Sequence, residues 1–156
     1  MKLNKQKGEL MMKKKILCSF IVIFFAVTSV IAGIDFSQED YEKAKKGERD
    51  LSETRLEGVD FSGRDLSGFV FSNADLEGAN FQGANLTGVN FEHADLERTN
   101  FIGANLTDVN FYHADLDEAN LKGADIKGTN FDKAELEYAT WTDGRLCAEG
   151  SIGGCW

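Results

Sequence analysis

The sequence predicts an all-β solenoid wound in four-sided coils, and three observations predict it. From Leu51 to Trp141 every fifth residue is large and apolar, nineteen in succession without a slip, a period that fits neither an amphipathic helix nor an alternating strand. These centres alternate Phe and Leu from Phe61 to Leu116, so like stacks on like only if each coil holds an even number of pentads. The residue after the centre is acidic at Glu57, Glu77, Glu97, Asp117 and Glu137, but among the fourteen other pentads only at Glu92 and Asp132. That second period is twenty, which selects four pentads per coil over two. A fixed repeat of this kind marks a solenoid, whose units bury their apolar side only against their neighbours.

The chain opens on residues 1–32, which read as a signal peptide. Lys13, Lys14 and Lys15 precede an uncharged, mostly apolar run from Ile16 to Ala32, and Val30-Ile31-Ala32 offers compact residues for a cut before Gly33. The true start falls at Met11 or Met12 if the first ten residues are an upstream artefact. The run is also close to the minimum for a membrane-spanning helix, so an uncleaved anchor is the alternative. Cys18 follows Leu17 and too little apolar sequence for a lipobox, and no lipoprotein is expected.

Residues 33–48 should form a capping element. Ser37 reads as the N-cap of a short helix reaching about Lys46, Glu39 and Asp40 suit its first turn, and Phe36 and Tyr41 are spaced as a hydrophobic staple. Such a helix would cover the unpaired groups and apolar cross-section that any stack exposes at its end.

Residues 49–143 carry the coils, a little under five of them, about 20 Å tall at roughly 4.8 Å per coil. The period sets the core as columns. Phe61, Phe81, Phe101 and, with a lapse, Leu121 form one, and Phe71, Phe91, Phe111 and Phe131 the opposite one. Leu66, Leu86, Leu106 and Ile126 fill a third side, and Leu76, Leu96, Leu116 and Leu136 the fourth. Trp141 takes the last centre as a plug. Each such side chain is worth roughly 1.5 to 3 kcal/mol when buried, so a polar residue at Phe91 or Phe111 should be among the most damaging changes.

The residues around the centres are equally regular. Ala74-Asp75-Leu76-Glu77-Gly78 and Ala84-Asn85-Leu86-Thr87-Gly88 resemble the A(D/N)LxG unit of the pentapeptide-repeat family, and the resemblance extends over roughly residues 49 to 143. It implies a right-handed quadrilateral β-helix, with the centre and the small residue two before it pointing inward. The tail, residues 144–156, resembles the W-x-D-G-x-x-C...G-S-I-G-x-C ending of exported family members.

Loss of the leader removes Cys18 and leaves Cys147 and Cys155, which in an exported chain most simply pair with each other. Closing so short a loop should stabilise the cap by roughly 2 to 3 kcal/mol on the chain-entropy account. Two cysteines with no His nearby in sequence do not make a zinc site, and their spacing is far from that of a redox pair.

The whole chain carries a formal −9, but residues from 33 onward hold eleven basic and twenty-five acidic residues, a formal −14. Much of the excess falls on one face, at Asp75, Glu77, Asp95, Glu97, Asp115, Asp117, Glu118, Glu135 and Glu137. Such a face admits a basic protein or envelope polymer, or loosely held Ca²⁺ or Mg²⁺ on oxygen ligands. It equally serves solubility and keeps parallel edges from sticking. The duplicated Glu92-His93-Ala94-Asp95 and Tyr112-His113-Ala114-Asp115 should stack His93 on His113 at one corner. With Asp95 and Asp115 they are the candidates for a Zn²⁺ or Cu²⁺ foothold or a pH-sensitive patch, or simply two surface histidines in a repeat. Asn85-Leu86-Thr87 and Asn105-Leu106-Thr107 fit a glycosylation sequon but are what the repeat itself dictates.

No nucleophile elbow, phosphate loop or dinucleotide fingerprint occurs, and a regular solenoid offers no concave pocket on its outward faces. The expectation is therefore a non-enzymatic, exported structural or binding module, periplasmic or secreted, without cofactor or nucleic-acid partner. Any membrane contact would come through the leader alone. The resemblance supplies one alternative, a DNA-mimicking gyrase ligand like the family's quinolone-protection members. An export signal, too few coils for a long rod, and no sequence resembling a dimerisation helix or projecting loops speak against it.

Overall fold

The computed structural model describes residues 37–156. The leader expected over residues 1–32, its alternative starts at Met11 and Met12, Cys18, and Phe36 of the expected staple lie outside the described residues. Among those described, no helix is long and apolar enough to cross a membrane.

The chain winds into a right-handed quadrilateral β-helix whose circumference is twenty residues. Parallel bridges join residues twenty apart without interruption from Asp50 and Val70 to Asn120 and Thr140. The centre's N–H donates to the next coil, as from Leu96 to the Asp115 carbonyl at 2.8 Å, and the preceding N–H donates back, as from Asp95 to the Ala74 carbonyl at 2.9 Å. Each pentad then turns a corner, Ala79 N–H returning to the Leu76 carbonyl at 2.9 Å. The corner requires a left-handed third residue, met by Gly78 with φ 64° and, at its equivalent one coil on, by Arg98 with φ 57°.

Phenylalanines on opposite faces meet inside the tube. Phe61, Phe81 and Phe101 stack in parallel at 5.1 and 5.4 Å between centroids, as do Phe71, Phe91, Phe111 and Phe131 at 5.2 to 5.3 Å. Across the tube the columns meet edge to face, Phe81 on Phe91 at 5.7 Å and Phe91 on Phe101 at 6.1 Å, the geometry that the ring quadrupole favours. The Leu columns and the inward alanines are buried with them. Trp141, last in the Phe61 column, leans across the tube onto Phe131 of the opposite one, tilted 54°, and remains only partly buried.

The first coil is covered by α1 (Gln38–Lys46). Ser37 caps it, its hydroxyl accepting from the Asp40 N–H, and Gly47 ends it in the left-handed region. Tyr41 and Ala44 pack on the core below. Asp40 ties the helix down, accepting from the Arg55 N–H at 3.1 Å and from Lys43 at 2.8 Å.

At the other end the tail does not add a parallel rung. Trp141 N–H bonds to the Arg145 carbonyl, and the chain reverses, so that Leu146 bridges Thr140 and Ile152 bridges Glu135 in antiparallel fashion. Cys147 N–H donates to Ala139, and Leu136 N–H to Ser151. The Cys147–Cys155 disulfide, Cα atoms 4.9 Å apart, closes this cap. Leu146, twenty residues after Ile126, is thereby turned outward with 64% of its surface exposed, and Ile126 is left partly buried.

Candidate functional site

Away from the Leu96 face the residue before the centre is Asn in eight of fourteen pentads, and it does two things. Its Oδ1 accepts the N–H two residues on, as Asn100 does from Ile102 at 3.0 Å, and its Nδ2 donates to the coil before, as to Asn80 at 3.1 Å. Asn80 on Asp60, Asn85 on Asp65, Asn110 on Asn90 and Asn130 on Asn110 repeat the pattern at 2.9 to 3.0 Å. The amides therefore form ladders along the tube.

The Leu96 face has no such ladder. Its corresponding column is Asp75, Asp95, Asp115 and Glu135, bridged rung to rung by backbone. Asp75, Asp95 and Asp115 still accept from the N–H of Glu77, Glu97 and Asp117, at 3.3, 3.1 and 3.0 Å. A carboxylate has no proton to donate to the rung before it. Like charges consequently stand one coil apart, and a second acidic column, Glu77, Glu97, Asp117 and Glu137, runs beside the first. Burial, then the charges of Asp75 and Asp115, push the Asp95 carboxyl above its ordinary value. Asp117 is also raised, by burial against the pull of the Glu137 N–H, with Asp115, Glu137 and Glu118 adding repulsion.

A cation crosslinks the second column. Arg98 reaches Glu97 on its own coil and Glu77 on the coil before. Sequence reasoning missed it, although the column Gly58, Gly78, Arg98, Glu118, Tyr138 shows a base where the preceding coils have glycine. Glu118 and Tyr138 share its left-handed backbone.

The four metal candidates are not brought together as one set. His93 and His113 stack with centroids 4.9 Å apart and planes 13° from parallel. Asp95 and Asp115 belong to the acidic column. Among the described residues the only three acidic or imidazole groups compact enough to share an ion are Asp115, Asp117 and Glu135, with ligand atoms within 4.8 Å of one another. Tyr112, also unforeseen, sets its ring edge-on to both histidines, at 6.1 Å from His93 and 4.5 Å from His113.

A family profile and several solved structures resemble this chain. The family profile described as pentapeptide repeats matches in eight copies, over residues 54–92, 84–123 and 114–140. Among solved structures, HetL, a pentapeptide repeat protein involved in heterocyst differentiation regulation from the cyanobacterium Nostoc sp. strain PCC 7120, is 32% identical, with 62% of this chain and 46% of HetL covered and a TM-score of 0.43. The chain thus spans less than half the length of HetL. A pentapeptide repeat protein from the Arabidopsis thaliana thylakoid lumen is 29% identical, with 64% of this chain and 81% of that one covered and a TM-score of 0.38. QnrB1, a plasmid-mediated fluoroquinolone resistance protein, is 18% identical, with 60% of this chain and 58% of that one covered and a TM-score of 0.43. No curated protein gives a significant match. With its twenty-residue coils, its Asn and Asp columns before each centre and family matches over more than half its length, the chain belongs to the pentapeptide-repeat family.

Proposed function

We propose that this chain is a non-enzymatic, exported binding or structural module of the cell envelope, and that its Leu96 face docks a basic protein or polymer. One observation carries the docking surface: on this face alone the cross-coil amide ladder gives way to an unbroken column of carboxylates, Asp75, Asp95, Asp115 and Glu135. Solubility needs charge, but scattered charge supplies it without stacking acids. A rigid row of anions one coil apart is matched by an extended cationic chain, whose arrival relieves the repulsion that the free face bears. Export is supported by Lys13 to Lys15 ahead of the apolar run to Ala32, and by a cap disulfide of the sort that persists in oxidising compartments. The non-enzymatic reading is supported by the placement of the titratable side chains of the described coils on the outward faces of the tube, around a core of apolar side chains.

The test uses the full chain as bait in envelope extract, beside an Asp95→Asn, Asp115→Asn, Asp117→Asn variant. A specific component should be retained at low salt, be released as salt screens the contact, and be absent from the variant's eluate. Equal retention by both proteins overturns the acidic face as the docking surface. Export is tested separately by cell fractionation, and recovery of the chain in the cytoplasm overturns it.

A further inference from the structure

We propose that His93 and His113 form a two-imidazole site for a late first-row divalent ion, Cu²⁺ or Ni²⁺ ahead of Zn²⁺. The two occupy equivalent corners of successive coils, and both side chains are exposed. Their backbones are fixed: each takes the left-handed corner conformation, φ 58° and 57°, and each N–H is bonded to the next coil, His93 to Tyr112 at 3.0 Å and His113 to Asp132 at 3.2 Å. None of the hydrogen bonds or ion pairs among the described residues uses an imidazole nitrogen of either ring.

The two rings stand one coil apart, within the span that a shared ion requires once they turn. Two imidazole nitrogens about 2.0 to 2.1 Å from one metal, 90 to 110° apart, set their ring centroids about 4.5 to 5.2 Å apart. The observed separation is 4.9 Å. The rings now lie parallel, so binding requires them to splay by rotation about their side-chain bonds, a motion open to exposed rings on a fixed backbone. The adjacent cation does not compete for the nitrogens. Lys133, one coil further along the same column, donates to the Tyr112 hydroxyl at 2.9 Å, with its ammonium 5.0 Å from that ring's centroid.

The ligand type then selects the ion. Imidazole nitrogen favours Cu²⁺, Ni²⁺ and Zn²⁺ over Ca²⁺ and Mg²⁺, with Cu²⁺ highest in the divalent series. Among the described residues no third imidazole or carboxylate joins the pair closely enough to complete a ligand set, so water fills the remaining positions and the ion exchanges readily. The site does not depend on the acidic face and stands or falls separately from it.

The experiment is Cu²⁺ titration of the untagged full chain in a non-chelating buffer, followed by calorimetry and electron paramagnetic resonance. Asn73 already holds this column's left-handed corner two rungs below His113, with φ 56°, so His93→Asn and His113→Asn keep the fold while removing one ligand each. The expected result is a nitrogen-coupled signal from two imidazoles, with affinity reduced about tenfold or more by either substitution because the second ligand's effective concentration is lost. An Asp115→Asn, Asp117→Asn, Glu135→Gln variant should bind within about twofold of the parent. An oxygen-only signal, unchanged affinity in the histidine variants, or loss of the ion with the carboxylates overturns the proposal.

Discussion

An asparagine and an aspartate differ here by one pair of donor hydrogens, and on this surface that difference is decisive. Asn80 and Asn85 show what happens when Asn stands one coil above Asp: Nδ2 donates to Asp60 at 3.0 Å and to Asp65 at 2.9 Å. Asp95 stands above Asp75 in the same geometry but offers repulsion in place of a hydrogen bond. Asp95→Asn should therefore stabilise the fold by about 0.5 to 1.5 kcal/mol, raising the melting temperature by a few degrees in a thermal melt. A neutral or lower melting temperature would mean that the carboxylates are already relieved by some other group. The columns that frame this residue were legible in the sequence, because a period of twenty in the acids fixes which carboxylate lies above which. The crosslink from Arg98 to two coils was not, since a side chain's reach carries no period.

Whole columns of phenylalanine act together at the level of the coil. Phe91 stacks on Phe71 and Phe111 and meets Phe81 and Phe101 edge-on, so its removal opens a cavity that four rings border. Phe91→Ala should cost about 3 to 5 kcal/mol by chemical denaturation, and clearly more than Trp141→Ala, since Trp141 is only partly buried at the end of its column. Similar losses at the two positions would contradict a core whose density lies at mid-tube. The helix start at Ser37 was legible from capping chemistry alone. The reversal after Trp141 was not, because the tail has no repeat and its pairing is settled by which edge groups of the last coil remain unmatched.

For the whole molecule, acid titration sums two opposed sets of carboxylates. Asp95 and Asp117 hold protons more readily in the folded chain than their ordinary value of 3.8 allows. Their penalty is complete above their folded values and is relieved as pH falls through those values toward the ordinary one. Asp40, Asp50, Asp60 and Asp65 are depressed below that same value. For Asp40, burial pushes upward but the bonds from Lys43, Arg55 and Ser37 prevail. For Asp50, Asp60 and Asp65 the main causes are bonds from Ser52, Ser62 and Ser67. Their contribution is present above the ordinary value and lost as pH falls through their folded values. Thermal melts from about pH 7 to pH 3 should accordingly show a maximum at mildly acidic pH, just above the carboxylate range, and Asp95→Asn should flatten its neutral limb. A monotonic fall on acidification would rule out the strained column.

The antiparallel cap has a consequence of another kind. A row of identical parallel rungs is a template for its own extension, since each edge offers the next turn of chain, from the same molecule or another, the pattern it needs. By laying Leu146 and Ile152 against Thr140 and Glu135 in the opposite sense, and locking the hairpin with Cys147 and Cys155, this protein ends its tube with a surface that does not copy its own beginning. Growth by copying is thereby denied a template at this edge, the chemical equivalent of a terminator placed on a polymer's growing end.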